Sequence, residues 1–316
     1  MELRNLKTFI RTAELRNFTR AAESLGYAQS TVTAQVEALE KELGMPLFIR
    51  NGKRVVLSSA GEELLSYAYR FRALEEETRL HFDRNGKPAG HLTVGMVESV
   101  SVSEYVKGVA SYLRKYPEVD LKVTVDTTIR LMEALKKGEI DAAVLLDRPV
   151  ADGELQTFYR KPEKICFFAC GASKYGRGMS VSLKDLEKEP WLLTEKGCNY
   201  RKELEEEFAS RGIFIESRLE MGSTRVLIDF VAGGLGISLL PEFDLKEELL
   251  KGRIVRIPVS DYEMEMELQI LVSRKRWMRP ALMCFCEEMA MEEKREYVKD
   301  DKNQCDASAG RSKNKV

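Results

Sequence analysis

Apolar residues recur at three- and four-residue spacing near the start of the chain, and the pattern predicts three helices. Leu3, Leu6, Phe9, Ile10 and Ala13 share one face of the first. Asn17-Phe18-Thr19 breaks it, and the Thr19 hydroxyl is placed to cap a second helix. That helix carries Ala21, Ala22 and Leu25 and ends at Gly26. Its alanines let another helix cross closely. A third helix buries Val32, Val36, Leu39 and Leu43 and stops at Gly44, while its other face shows Gln29, Ser30, Thr31, Thr33 and Gln35. Two helices joined by a short turn, the second polar near its N-terminus, describe a helix-turn-helix. Gln can bond adenine bidentately, and Ser and Thr can reach bases or phosphates. A small helical bundle with a solvated polar face shares this pattern.

The next segment favours DNA. Leu47-Phe48-Ile49 and Val55-Val56-Leu57 read as short strands around Arg50-Asn51-Gly52-Lys53-Arg54, with Asn-Gly at the hairpin tip. Arg50, Lys53 and Arg54 make this a basic wing suited to a phosphate backbone. Arg20 adds a cation beside Thr19. Residues 1–60 hold nine basic residues against six acidic ones, a net of 9 − 6 = +3 in a chain whose formal charge is −1.

Periodicity then lengthens. Ser59-x-x-Glu62 is a capping box. Ala60, Leu64, Tyr67, Phe71, Leu74 and Thr78 follow at spacings of 4, 3, 4, 3 and 4, a heptad-like seam that predicts pairing of two protomers. A single helix packed on its own domain is the plainer alternative. Asp83 to Gly90 reads as a hinge. From His91 onward short apolar runs alternate with helical patterns. Strands are expected at 91–97, 119–125, 140–146, 191–194, 214–221, 234–241 and 268–273, with a last helix around 279–293. Such alternation implies a parallel sheet with right-handed crossovers.

The residues Phe18-Thr19-Arg20-Ala21-Ala22-Glu23-Ser24-Leu25-Gly26-Tyr27-Ala28-Gln29-Ser30-Thr31-Val32-Thr33 resemble the winged helix-turn-helix of LysR-type transcriptional regulators. So do Leu39 to Arg50 and Ser58-Ser59-Ala60-Gly61-Glu62. Ala28 departs from the pattern, because many members place a capping Ser or Thr there. Asp141-Ala142-Ala143-Val144 and Gly233 to Pro241 resemble segments of the family's effector domain, which is shaped like a periplasmic solute-binding protein. The resemblance covers roughly residues 1–295. It implies an α+β multidomain chain with a DNA-binding domain at 1–58, a linker and dimerisation helix with hinge at 59–90, and an effector-binding domain at 91–295. Lobe I of that domain would be 91–161 plus 267–295, and lobe II 162–266. Residues 296–316 are charged and polar and are expected to be a disordered tail.

Two lobes leave a cleft, and ligands of open α/β sheets bind at strand C-termini and helix N-termini. Four places meet that description. Ser99-Val100-Ser101 follows the first strand, and Thr127-Thr128 follows the second. Thr194 and Cys198-Asn199-Tyr200-Arg201 open a helix in the second lobe, and Ser223-Thr224 opens the next. Hydroxyls and free N–H groups at helix starts favour an anion such as a carboxylate, which Arg201 could clamp bidentately. Ordinary helix caps would use the same residues.

Composition sets the remaining bounds. The 316 residues suit two or three domains, and 44% are hydrophobic. The 50 basic and 51 acidic residues nearly cancel, which argues against a purely electrostatic DNA-packaging protein. No run of 18 apolar residues predicts a membrane span. The start of the chain lacks a signal-peptide pattern, so a cytoplasmic protein is expected, and a secreted solute-binding protein is disfavoured. Cys166, Cys170, Cys198, Cys284, Cys286 and Cys305 show no paired spacing, and His81 and His91 neighbour no cysteine, so neither zinc nor any other metal or cofactor is expected. Cys198, at the cleft, is the one candidate for redox chemistry. No Walker, Gly-x-Gly-x-x-Gly or Gly-x-Ser-x-Gly motif supports an enzyme. The expected partners are double-stranded DNA, a small-molecule effector, further copies of the chain as dimer or tetramer, and RNA polymerase.

Overall fold

The computed structural model describes residues 1–290 apart from 52–53, 82–86, 104 and 179. The expected tail and the wing residue Lys53 therefore lie outside the described residues. Two compact units are present, one built on Met1–Gly86 and one on Lys87–Lys136 with Ile140–Val316.

The first unit contains α1 (Leu3–Leu15), α2 (Phe18–Leu25), α3 (Gln29–Leu43), β1 (Phe48–Asn51), β2 (Arg54–Leu57) and α4 (Ser59–His81). Its apolar stripes converge as the periodicity predicts except at two helix ends, where Leu3 and Leu43 are exposed. Phe9, Val32, Leu39 and Ala21 are fully buried. The Phe48 ring lies 5.4 Å from Phe9 and 5.5 Å from Phe18, tying the wing to the helices. Gly26 (φ 68°) and Gly44 (φ 70°) end α2 and α3 in the left-handed conformation that only glycine adopts cheaply. Two caps differ from expectation. Asn17, not Thr19, caps α2, accepting from the Arg20 N–H at 3.0 Å. Ser58, one residue before the predicted cap, accepts from the Gly61 N–H at 3.0 Å and donates to the Pro46 carbonyl at 2.6 Å. Asn17 already has the extended geometry a cap requires.

The second unit contains, in order, β3 (Gly90–Met96), α5 (Glu98–Ser101), α6 (Val106–Lys115), β4 (Val119–Val125), α7 (Thr128–Lys137), β5 (Ala142–Asp147), β6 (Leu155–Cys170), β7 (Trp191–Leu193), α8 (Asn199–Ser210), β8 (Ser217–Glu220), α9 (Thr224–Ala232), β9 (Ser238–Pro241), α10 (Glu242–Leu250), β10 (Ile254–Arg256) and β11 (Met264–Ser273). A further helix, α11, runs over residues 280–290. The main sheet has the order β10-β6-β11-β5-β3-β4, with β9 also on β6. It is mixed rather than parallel. β3 pairs parallel with β4 and β5, but β11 runs antiparallel to both β5 and β6. β11 returns late in the chain to lie between β5 and β6. The long β6 serves both lobes: Leu155 to Ile165 pair with β11, and Ile165 to Cys170 pair with β9 and β10. β7 and β8 form a separate parallel pair.

Candidate functional site

On α3, Gln29, Ser30 and Thr31 are exposed, as are Thr19 and Arg20 on α2. Thr33 is half-buried and accepts from Gln29 Nε2 at 2.9 Å, so Gln29 must release it to read a base with its whole amide. Gln35 is not on this face. It is buried, and its Oε1 accepts from the Thr8 hydroxyl at 2.5 Å. The reason is helical geometry. Gln35 lies three residues after Val32 and four before Leu39, inside the buried stripe. Its polarity is satisfied by α1 rather than by a ligand. No side chain caps α3, whose N-cap position is Ala28, and its first turn holds no acidic residue. The wing strands pair Asn51 with Arg54, which puts Arg50 and Arg54 on the paired strands flanking residues 52–53.

α4 divides into two faces. Ala68 and Tyr69 are buried with Leu6, Phe9 and Leu39 in the first unit's core, with Leu64 packed against them. Tyr67, Phe71 and Leu74, the middle of the predicted seam, are exposed and apolar.

In the second unit a cavity of about 240 Å³ opens where β3, β4 and β5 end and α7, α8 and α9 begin. Of the predicted residues, Ser99, Thr127, Thr128, Thr194, Cys198, Asn199 and Tyr200 line it. Others do not. Val100 is fully buried in the core, and Ser101 donates to the Glu98 carbonyl at 2.8 Å. Ser223 and Thr224 stand at the start of α9, beside the lining residue Gly222.

Arg201 is the largest departure from the sequence reading. Its side chain is only 3% exposed, and it is not among the lining residues. Nε donates to Glu205 at 2.8 Å, Nη1 donates to Glu220 at 2.8 Å, and Nη1 also donates to the Thr194 carbonyl. Two carboxylates thus already neutralise it, and the Arg201 hydrogen bond holds the Glu220 carboxyl below its ordinary range. It fastens α8 to β7 and β8 behind the cavity wall.

Sequence reasoning missed the acidic residues. Glu98, Asp126 and Glu195 line the cavity, and among the described residues no Lys, Arg or His does so. Glu98 accepts from the Thr224 N–H at 3.1 and 3.2 Å, placing a carboxylate at the start of α9. Burial is the largest influence on the Glu98 carboxyl and raises it above its ordinary 4.5, the Thr224 hydrogen bonds pull it back, and the Glu195 charge adds to the rise. Asp126 accepts from the Thr127 N–H at 2.8 Å, just ahead of α7. The available signal was Glu98 itself, an acid directly after an apolar strand. Cys198 is held as a thiol, since burial pushes it up to about 11, and a thiolate is what redox chemistry needs.

Several bonds span the two lobes around this cavity. Asn199 Nδ2 on α8 donates to Thr128 Oγ1 at 2.8 Å and to the Leu146 carbonyl at 3.2 Å. Arg148 Nε donates to Glu203 at 2.9 Å, and Glu98 reaches α9 as described. A Cβ on Gly197 would meet the Thr127 methyl at 3.0 Å. The lobes are closely apposed there.

Two family profiles match the chain. "Bacterial regulatory helix-turn-helix protein, lysR family" matches residues 3–62, and "LysR substrate binding domain" matches residues 85–293. The transcriptional regulator YwqM of Bacillus subtilis, described as uncharacterized, is 33% identical over 287 residues, covering 90% of this chain and 97% of that one. The regulator CzcR of the same organism is 31% identical over 261 residues, covering 83% and 87%. Among solved structures, a full-length OxyR variant from Pseudomonas aeruginosa superposes with a TM-score of 0.74 at 22% identity, covering 92% of this chain and 94% of that one. Full-length CbnR in complex with its target DNA gives 0.62 at 21%, covering 92% and 99%. At these identities the likeness to the solved structures is one of fold. Relatives and profiles alike are those of transcriptional regulators rather than enzymes.

Proposed function

The chain belongs to the LysR family of DNA-binding transcriptional regulators, and on that premise we propose that a small molecule held in the cavity at the starts of α7, α8 and α9 sets how the chain meets its operator. One observation carries this reading: the cavity is walled by both lobes and crossed at its margins by Asn199–Thr128, Asn199–Leu146 and Glu98–Thr224 hydrogen bonds. A ligand that entered would replace or strain those bonds. It would thereby bind one lobe arrangement better than another, which is what shifting a conformational equilibrium requires.

The reading assigns residues 1–58 to DNA contact, 59–90 to self-association, and 91–295 to the effector. Gln29, Ser30 and Thr31 enter the major groove, and Thr19, Arg20, Arg50, Lys53 and Arg54 take phosphates. Tyr67, Phe71 and Leu74 form the pairing seam, giving a dimer whose two-fold axis matches a two-fold operator. RNA polymerase is the partner through which an activator would work. The effector part is tested by fluorescence anisotropy of the full chain on the duplex upstream of its own gene, at one fixed salt concentration, with and without candidate ligands. A ligand-dependent change in affinity supports it. Identical isotherms across ligands known to occupy the cavity would refute it.

A further inference from the structure

We propose that the ligand this cavity selects is a small organic cation, an amine or guanidine of metabolite size, rather than the carboxylate that its helix starts suggest. The inference rests on the effector reading only for the ligand's role; its charge preference is a property of the cavity alone.

Helix N-termini attract anions because their first N–H groups lack partners. Here three of them meet at one cavity, yet at two of them the chain supplies its own acceptors. Glu98 takes the first N–H of α9 with both oxygens. Asp126 takes the Thr127 N–H ahead of α7. At α8 the N-cap residue Cys198 makes no side-chain cap. An incoming carboxylate would find the Thr224 and Thr127 donors engaged and two or three negative charges already present.

A cation meets the opposite situation. Glu98 and Glu195 carry the preference, because Asp126 has the exposed Arg130 at 3.7 Å. Among the described residues, Glu195 makes no hydrogen bond or ion pair through its carboxylate, and its charge is felt at Glu98. The buried guanidinium of Arg201, behind the wall, is turned to Glu205 and Glu220.

A second observation points to a ligand with hydrogen-bonding groups. Thr194 lines the cavity and is 3% exposed, and its buried hydroxyl makes no hydrogen bond to any nitrogen or oxygen; its neighbour is the weakly bonding Cys198 sulfur. Asn199 adds an acceptor. Only its NH₂ can donate to the Leu146 carbonyl, so the amide orientation is fixed and Oδ1 is left over. Buried polar groups without partners are costly; the Thr194 hydroxyl suits any hydrogen-bonding ligand, and the Asn199 Oδ1, which can only accept, suits a donor.

Size and spacing narrow the class. About 240 Å³ is below the 300 Å³ or so of a drug-sized pocket and suits a compact metabolite. Among the described residues no three Asp, Glu, His or Cys side chains converge as metal ligands would, which favours an extended organic cation over a metal ion.

The test uses the full chain and length-matched probes: 1,4-diaminobutane and 4-aminobutan-1-ol against butanedioate and 4-hydroxybutanoate. Isothermal titration calorimetry at pH 7.5 reads binding directly. The expected result is saturable binding of one or both amines and none of either carboxylate. Glu195→Gln, which disturbs no hydrogen bond, should weaken the amine about tenfold, and adding Glu98→Gln should weaken it about tenfold again. Thermal unfolding of each variant checks that it folds; the wild-type comparison of amines with carboxylates needs no variant. Carboxylate binding, or no amine binding at 10 mM, the concentration limit chosen for the test, overturns the proposal. Amine binding that leaves the DNA isotherm unchanged would uphold the charge preference and refute the effector reading.

Discussion

The start of α3 and the starts of α7 and α9 obey the same physics and reach opposite ends. Each helix exposes N–H groups that no residue of its own helix can satisfy. At α3 the capping position is Ala28, no side chain accepts from the first turn, and Gln29, Ser30 and Thr31 stand exposed. On the proposed reading, that end is left open for an outside anion, a DNA phosphate. At α9 and ahead of α7 the carboxylates of Glu98 and Asp126 already occupy the place an anion would take. A helix start therefore predicts where negative charge sits, not whether ligand or protein supplies it.

The comparison can be broken from either side. The largest effect is expected at Gly61. A Cβ there would come within 2.1 Å of the Leu47 carbonyl oxygen, which also accepts from the Ser58 N–H at 3.0 Å. Backbone cannot yield as a side chain does, so Gly61→Ala should cost about 3 kcal/mol. Calorimetry should show a destabilised first unit and lost DNA binding, while the amine titration is retained. Loss of both would mean that the two units do not behave independently.

Next is Arg201→Ala. Its guanidinium serves Thr194, Glu205 and Glu220 rather than the cavity. Removing it strands those acceptors and should lower stability by about 2 kcal/mol. Ligand affinity in the surviving folded protein should change by less than about threefold. A specific collapse of ligand affinity at unchanged melting temperature would return Arg201 to the site.

Gln29→Ala should weaken operator binding about tenfold, about 1.4 kcal/mol, and leave sedimentation of the oligomer unchanged. Equal affinity for the operator would remove Gln29 from base contact.

The smallest effect is one of pH. A bound cation favours ionised Glu98, whose carboxyl burial raises above 4.5, with Glu195 adding to the rise and Thr224 and Ser223 opposing it. Amine affinity should therefore fall as pH drops from 7.5 toward 5, by less than tenfold per pH unit for one proton. The amine itself stays protonated throughout. In Glu98→Gln this dependence should flatten.

The head was legible because its determinants are local. Apolar spacing gave α1 to α3, Gly26 and Gly44 gave their ends, and the two apolar runs gave the wing strands. The errors there concern single faces, as at Gln35, where a polar residue falls inside a buried stripe and finds Thr8. The second unit was legible as alternating elements but not as a sheet. β6 escaped because Arg160-Lys161-Pro162-Glu163-Lys164 reads as a loop; in the fold Glu163 is buried and accepts from the Tyr105 hydroxyl at 2.7 Å. α10 and β10 were likewise not foreseen. The cavity's position followed from strand ends and helix starts, and seven of its lining residues were anticipated. Its charge was not, because the pairing of Glu98 with Thr224 joins residues 126 positions apart. Nothing local to either residue announces that bond, or that Arg201 is spent on Glu205 and Glu220.

The most direct test joins both regions in one experiment. Fluorescence anisotropy of the full chain would be measured on the duplex upstream of its gene and on a scrambled duplex of equal length. Salt would be fixed, because affinities shift steeply with it. Each titration would be run with and without 1 mM 4-aminobutan-1-ol, a monocation too dilute to compete for phosphates. The account predicts strong preference for the upstream duplex and an amine-dependent change in that preference, absent in Glu98→Gln/Glu195→Gln. Equal binding to both duplexes, or a preference indifferent to the amine and altered by butanedioate instead, would contradict it.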